Sequence, residues 1–89
     1  MLEGKTKSGF EYSINEKCSQ DAFILRYVAR IMKDDLESVF ELIDRMVALG
    51  LDGDALYQHC TDEDGVVPIQ TLVAEVMEIL NSTKETKNS

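Results

Sequence analysis

Two thiols and one imidazole, those of Cys18, Cys60 and His59, are the side chains best suited to nucleophilic or metal chemistry in this chain. Their spacing supports neither. His59 and Cys60 are adjacent, so on a helix they point about 100° apart and cannot easily address one ion or share one proton. No Cys-x-x-Cys or His-x-x-x-His spacing occurs, and Cys18 is the only other soft ligand. The pair reads as a surface or half-buried histidine beside a core cysteine. No serine stands in a spacing that selects it for a Ser/His/Asp set, and Gly-rich phosphate loops are absent.

The stretch from Asp62 to Thr71 invites a calcium reading. With Cys60 as the first loop position, Asp62, Asp64 and Gly65 fall where an EF-hand has ligands and its glycine. The first position is then a thiol and the last, Thr71, is no bidentate carboxylate. A capped turn is the better reading, with no stoichiometric metal site and no cofactor. The enzyme class therefore ranks last.

What remains is charge. The 89 residues carry a formal net charge of -8. From Asp34 to Glu78 there are twelve carboxylates and a single basic side chain other than histidine, Arg45. Such a surface repels nucleic acid and acidic membranes and attracts basic or amphipathic protein segments. Residues 1–33 and 79–89 together hold eight basic and five acidic residues, so the chain is polarised. The acids expected to meet a partner are Glu37, Glu41 and Asp44 in one group and Asp62, Glu63 and Asp64 in another.

An apolar fraction of 44% supports a real core in one small domain. The opening Met1-Leu2-Glu3-Gly4-Lys5 lacks the apolar stretch of a signal peptide, and no run of about 18 apolar residues is present. Two cysteines make no disulfide framework. A reducing cytosol with both thiols free is the expected setting.

The elements that carry these residues follow from periodicity. Phe10, Tyr12 and Ile14 alternate with polar residues, as in a half-buried strand near 9–14. One short strand needs a mate, either Lys5–Lys7 or another chain, which leaves self-association open. Ser19 reads as the N-cap of a helix over 19–33, with Arg26, Arg30 and Lys33 forming a basic ridge set against the acids of the second helix. Asp34 and Glu37 stand at capping-box spacing before a helix over 35–49, with a Glu41–Arg45 pair on its surface and Gly50 as its stop. Asp52-Gly53-Asp54 opens a third helix over 53–61. Pro68 fits the first position of a fourth, over 68–81.

The expected fold is mostly α, a small bundle of about four short helices with a short N-terminal strand or hairpin. Residues 1–8 are expected to be a flexible N-terminus, 9–80 a single helical domain and 81–89 a flexible polar tail. Phe23, Tyr27, Ile31, Phe40, Ile43, Leu56, Leu72, Val76 and Ile79 are the expected common core.

Read in order, Ser8-Gly9-Phe10-Glu11, two helices, Asp54-Ala55-Leu56-Tyr57-Gln58-His59, the turn Thr61-Asp62-Glu63-Asp64-Gly65-Val66-Val67-Pro68 and a closing amphipathic helix make a recognisable series. Over roughly residues 6–80 the chain resembles the small tail assembly chaperones of long-tailed phages and prophages of Gram-positive bacteria. The resemblance implies a non-enzymatic helper in the host bacterial cytoplasm. It would bind and solubilise the phage tape measure protein while tail-tube subunits polymerise, with the major tail protein as a second partner. In many such proteins a frameshift yields a longer product. The rival reading is an acidic anti-repressor or inhibitor that occupies a nucleic-acid-binding protein.

Overall fold

A computed structural model describes the backbone of residues 1–88 and the side chains of residues 1–84. The fold is a small helical bundle with an antiparallel hairpin at its N-terminus. Strand β1 (Leu2–Lys5) pairs with β2 (Glu11–Ile14), Gly4 lying opposite Tyr12. The first residues thus form the mate that the Phe10–Ile14 alternation requires, Leu2–Lys5 standing where Lys5–Lys7 or another chain is expected. Phe10, Tyr12 and Ile14 face the core, and Glu11 is exposed. Gly4 is needed there because Tyr12 lies across it: a Cβ would meet the phenol ring.

A 3-10 turn, Glu16–Gln20, leads into α1 (Ala22–Met32). The N-cap is Asp21, whose carboxylate accepts from the Ile24 N–H, and Ser19 falls inside the 3-10 turn. Asp34 corrects a second boundary. It adopts φ 71 and ends α1, its N–H bonding the Ile31 carbonyl while the Asp35 N–H bonds that of Arg30. This is the paired bonding of a left-handed helix stop. Helix α2 (Ser38–Ala48) therefore starts later than the capping-box spacing suggests, after a turn in which Ser38 donates to the Asp35 carboxylate. Its own stop is Gly50, at φ 109, with the Leu51 and Gly50 N–H groups on Met46 and Val47.

Helix α3 (Gly53–Cys60) is capped by the Asp52 carboxylate on the Ala55 N–H. Helix α4 (Ile69–Asn88) follows Pro68, whose carbonyl receives the Leu72 N–H. It runs seven residues past the expected end at 81. Leu80 and Thr83 are buried, the Thr83 hydroxyl donates to the Leu80 carbonyl, and the Cys18 thiol donates to Thr83 across to the 3-10 turn. The expected tail is in this part a packed helix.

The core joins Ile14, Ile24, Leu42, Ile43, Met46, Leu56, Leu72, Val76 and Ile79, all below 2% exposed, to Phe10 and Tyr12 of the hairpin. Five expected core residues, Ile43, Leu56, Leu72, Val76 and Ile79, are among these, and Ile31 is buried beside them. Tyr27 packs at the edge. Phe23 and Phe40 do not join: they are 50% and 45% exposed. On α2 the stripe Val39, Leu42, Ile43 and Met46 already fills the inward face, and Phe40 falls one residue beyond it. On α1, Ile24 and Ile31 point inward, and Phe23 is left beside Arg45.

Leu42→Ala should destabilise the fold by about 2–5 kcal/mol, the range for a fully buried leucine. Phe40→Ala, removing a half-exposed ring, should cost under about 1.5 kcal/mol. Urea melts of the two variants check the ordering, and a Phe40→Ala loss equal to that of Leu42→Ala would place the ring in the core.

Candidate protein-interaction face

The outer face of α2 is built by residues that its core stripe leaves over. Glu37, Glu41 and Asp44 follow at helical spacing and are all exposed, as are Phe40 and Val47. Asp44 lies between the two apolar residues at four- and three-residue steps, so the three share one face. Acid and apolar surface are interleaved here.

Helix α2 stands between two open clefts. Towards α1, a cleft of about 350 Å³ is lined by Phe23, Tyr27, Glu41, Asp44, Arg45 and Ala48. Towards α3, one of about 340 Å³ includes Asp44, Val47, Asp52, Asp54 and Tyr57. Asp44 borders both. Its charge reaches the second cleft: the Tyr57 hydroxyl is pushed up from the usual phenol range, by burial first and then by Asp44.

The basic residues nearby are neutralised from within. Arg45 makes a two-pronged contact with Asp21, Nε to Oδ2 at 2.9 Å and NH2 to Oδ1 at 2.8 Å. The Glu41–Arg45 pair expected along α2 is therefore replaced by a pair between helices. Glu41 instead faces Arg30 at 3.6 Å, the one member of the basic ridge to meet a second-helix acid among the described residues. Arg45 also lies 4.9 Å from the Phe23 ring centroid and Arg30 5.9 Å from that of Tyr27, so each ring has a cation beside it. Glu37 and Asp44 have no ion-pair partner among the described residues.

The second acidic group lies elsewhere. Asp62, Glu63 and Asp64 are exposed on the turn between α3 and α4. One Asp62 oxygen accepts from the Asp64 and Val66 N–H groups, each at 2.9 Å, and the Asp62 and Val66 backbones bond at 2.7 Å. Asp62 thus shapes its own turn, with Gly65 at φ 78. Among the described residues no three His, Cys, Asp or Glu side chains converge as a metal site.

One arrangement had no signal in the spacing. The Ser8 hydroxyl lies 2.8 Å from His59 Nε2 and donates to Glu75 Oε1. With the serine proton on the carboxylate, His59 must donate to the hydroxyl, the reverse of what a general base does. Glu75 is 7% exposed and its Oε2 has no partner among the described residues. The Lys7 N–H adds a bond to Glu78 at 2.7 Å, and the Phe10 ring lies 5.3 Å from that of His59. These contacts latch the hairpin turn onto α3 and α4. His59 is exposed and Cys60 buried, as their adjacency on a helix suggests.

Comparison with family models, with curated proteins and with solved structures finds no match to this chain. Among the described residues no helix is long and apolar enough to cross a membrane.

Two outcomes follow from the titrating groups. The Arg45 guanidinium holds the Asp21 carboxyl below its usual range, with the Ile24 N–H adding to the effect. A depressed folded-state value stabilises the fold above the unfolded carboxyl's own titration near pH 3.9, and the benefit disappears as pH falls through the folded value. Melting temperatures measured from pH 6 down to pH 2 should thus fall less steeply for Asp21→Asn than for the parent chain. An identical slope would show that Arg45 leaves Asp21 unperturbed. Burial raises the Cys18 and Cys60 thiols above their ordinary range. Both should react with a thiol reagent at neutral pH only at the rate of unfolding; rapid labelling of the folded chain would place them at the surface.

Proposed function

We propose that this chain is a non-enzymatic phage tail assembly chaperone, acting in the host bacterial cytoplasm to hold the tape measure protein soluble while the tail tube forms. One observation carries the reading: two phenylalanines, Phe23 and Phe40, remain exposed beside an acidic helix face that has no use for them in the core. A long helical partner with basic and apolar residues interleaved would meet both kinds of surface at once. Its apolar side chains would cover Phe40, Val47 and the Phe23 ring, and its lysines or arginines would pair with Glu37, Glu41 and Asp44. The major tail protein is a second partner in this scheme. Glu37 and Asp44 are the better steering candidates, because Glu41 already faces Arg30. The acids of the turn, Asp62, Glu63 and Asp64, add to the field without sharing that face.

Such a helper must also leave. Modest contacts repeated along one filament give strong coverage and fast exchange together. Charge steering of this kind weakens as the Debye length shrinks from about 10 Å at 0.1 M salt to about 3 Å at 1 M.

Co-expression with the downstream tape measure gene, followed by pull-down and kinetics, tests the proposal. The tape measure should remain soluble only with this chain. The double change Glu37→Lys and Asp44→Lys should lower the association rate by about tenfold at low salt while leaving dissociation little altered. Phe40→Ala should act on dissociation instead. An equally soluble tape measure without this chain, and no complex at low salt, would end the reading; tight capture of a DNA-binding protein in its place would favour the inhibitor alternative.

A further inference from the structure

We propose that the outer edge of β1 pairs with β1 of a second copy of this chain, antiparallel, about a twofold axis through Gly4. The backbone register carries the argument. Beyond the Lys5–Glu11 step the Thr6 N–H donates to the Phe10 carbonyl at 2.9 Å. In an antiparallel ladder hydrogen-bonded pairs alternate with open ones. Gly4–Tyr12 and Leu2–Ile14 are therefore the bonded pairs, and the N–H and C=O groups of Glu3 and Lys5 point away from β2. Among the described residues none of these four groups has a backbone or side-chain partner outside the hairpin. The far edge of the hairpin is differently placed: the Asn15 N–H, just beyond β2, bonds the Leu49 carbonyl at 2.8 Å, joining that side to the loop after α2.

Glu3 and Lys5 are both exposed, and their identities select one register. Outward groups can meet a twofold copy in three ways: Glu3 on Glu3, Lys5 on Lys5, or Glu3 on Lys5. The first two oppose like charges at the bonded pair. The third forms two opposite-charge pairs and four backbone hydrogen bonds, with Gly4 facing Gly4 at the open pair on the axis. Open pairs bring backbones to about 4.5 Å, where glycine adds no side chain of its own and the Tyr12 phenol of each copy lies beside the axis. Tyr12 keeps the position bare, since any Cβ at Gly4 would strike its ring.

A short strand bearing a lysine is an ordinary defence against unwanted pairing. Here the glutamate two residues away converts that defence into a selective one, which rejects shifted registers and admits a single symmetric one. The contact is small beside the roughly 1,000 Å² of a stable interface, so it serves copies already held at high local concentration. It does not depend on which partner concentrates them.

The test uses the full chain from about 0.05 to 2 mM, a range that brackets a dissociation constant on the order of 0.1–1 mM. Sedimentation should show a monomer passing to a dimer. Over the same range the Glu3 and Lys5 amides should gain protection from hydrogen exchange, whereas the Gly4 amide, bonded within the hairpin, should be protected throughout. Glu3→Lys and Lys5→Glu should each weaken dimerisation about tenfold, and the double swap should restore it. A chain that stays monomeric over that range overturns the proposal. So does a dimer indifferent to either single reversal, unchanged exchange at Glu3 and Lys5, or a double swap as weak as the singles. The exchange measurement on the unaltered chain decides the matter even if a variant folds poorly.

Discussion

The carboxylate of Asp21 holds the junction on which the interaction face depends. It accepts from the Ile24 N–H, which starts α1 and separates it from the 3-10 turn, and it grips Arg45 of α2 through both oxygens. Capping alone is worth about 1 kcal/mol, and charge-assisted bidentate bonds add geometric definition as well as energy. The consequence is rotational. With Arg45 drawn toward Asp21, α2 presents Leu42, Ile43 and Met46 inward, and the guanidinium comes to lie against the Phe23 ring. Phe23 therefore has a cation beside it at the surface. The opening of the α1–α2 cleft follows from the same contact, since Phe23, Arg45 and Asp44 all line it.

Polar contacts of another kind fasten α4 and the hairpin turn. Thr83 joins α4 to Cys18, and Ser8 joins the hairpin turn to Glu75 and His59. Each group is small, and each bond lies between elements far apart in the chain. Glu75 keeps one oxygen buried and, among the described residues, unpartnered, a destabilising feature that the Ser8 bond to the other oxygen only partly offsets. A chain of this size has a thin stability margin, so these few contacts decide whether the hairpin and the end of α4 stay docked.

This division explains which features were legible in the residues. Four helices, the hairpin strand at Phe10–Ile14, the Gly50 stop and the Asp62–Gly65 turn all rest on local rules, and all are present. Element ends differ from the sequence pattern where one residue type serves two local roles. Asp favours a helix N-cap and also tolerates the left-handed conformation, so Asp34 could begin α2 or end α1, and bonds to Arg30 and Ile31 settle it. Ser19 and Asp21 both suit a cap, and Asp21 takes it on the carboxylate that also meets Arg45, far along the chain. The extent of β1 is not legible, because Leu2-Glu3-Gly4-Lys5 has no alternating apolar pattern to set it apart from Lys5–Lys7, and Thr83 reads as tail because a buried hydroxyl looks the same as an exposed one in sequence. Helical spacing did place Glu37, Glu41 and Asp44 on one face. It could not reveal the exposure of Phe23 and Phe40, since an apolar stripe broad enough to include them exceeds what the neighbouring helices cover.

That excess breadth has a physical meaning. A surface helix folds against its neighbours with a single apolar stripe, and Val39, Leu42, Ile43 and Met46 supply one. Phe40 and Val47 form a second with Asp44 between them, contributing little to the fold and raising the hazard of self-adhesion. The surrounding carboxylates contain that hazard, because two copies meeting through their α2 faces oppose Glu37, Glu41 and Asp44 to the same acids. A basic amphipathic surface meets no such barrier. Acidity and exposed aromatic surface are then parts of one device, in which the charge that keeps the apolar stripe from its own kind leaves it open to a cationic helix.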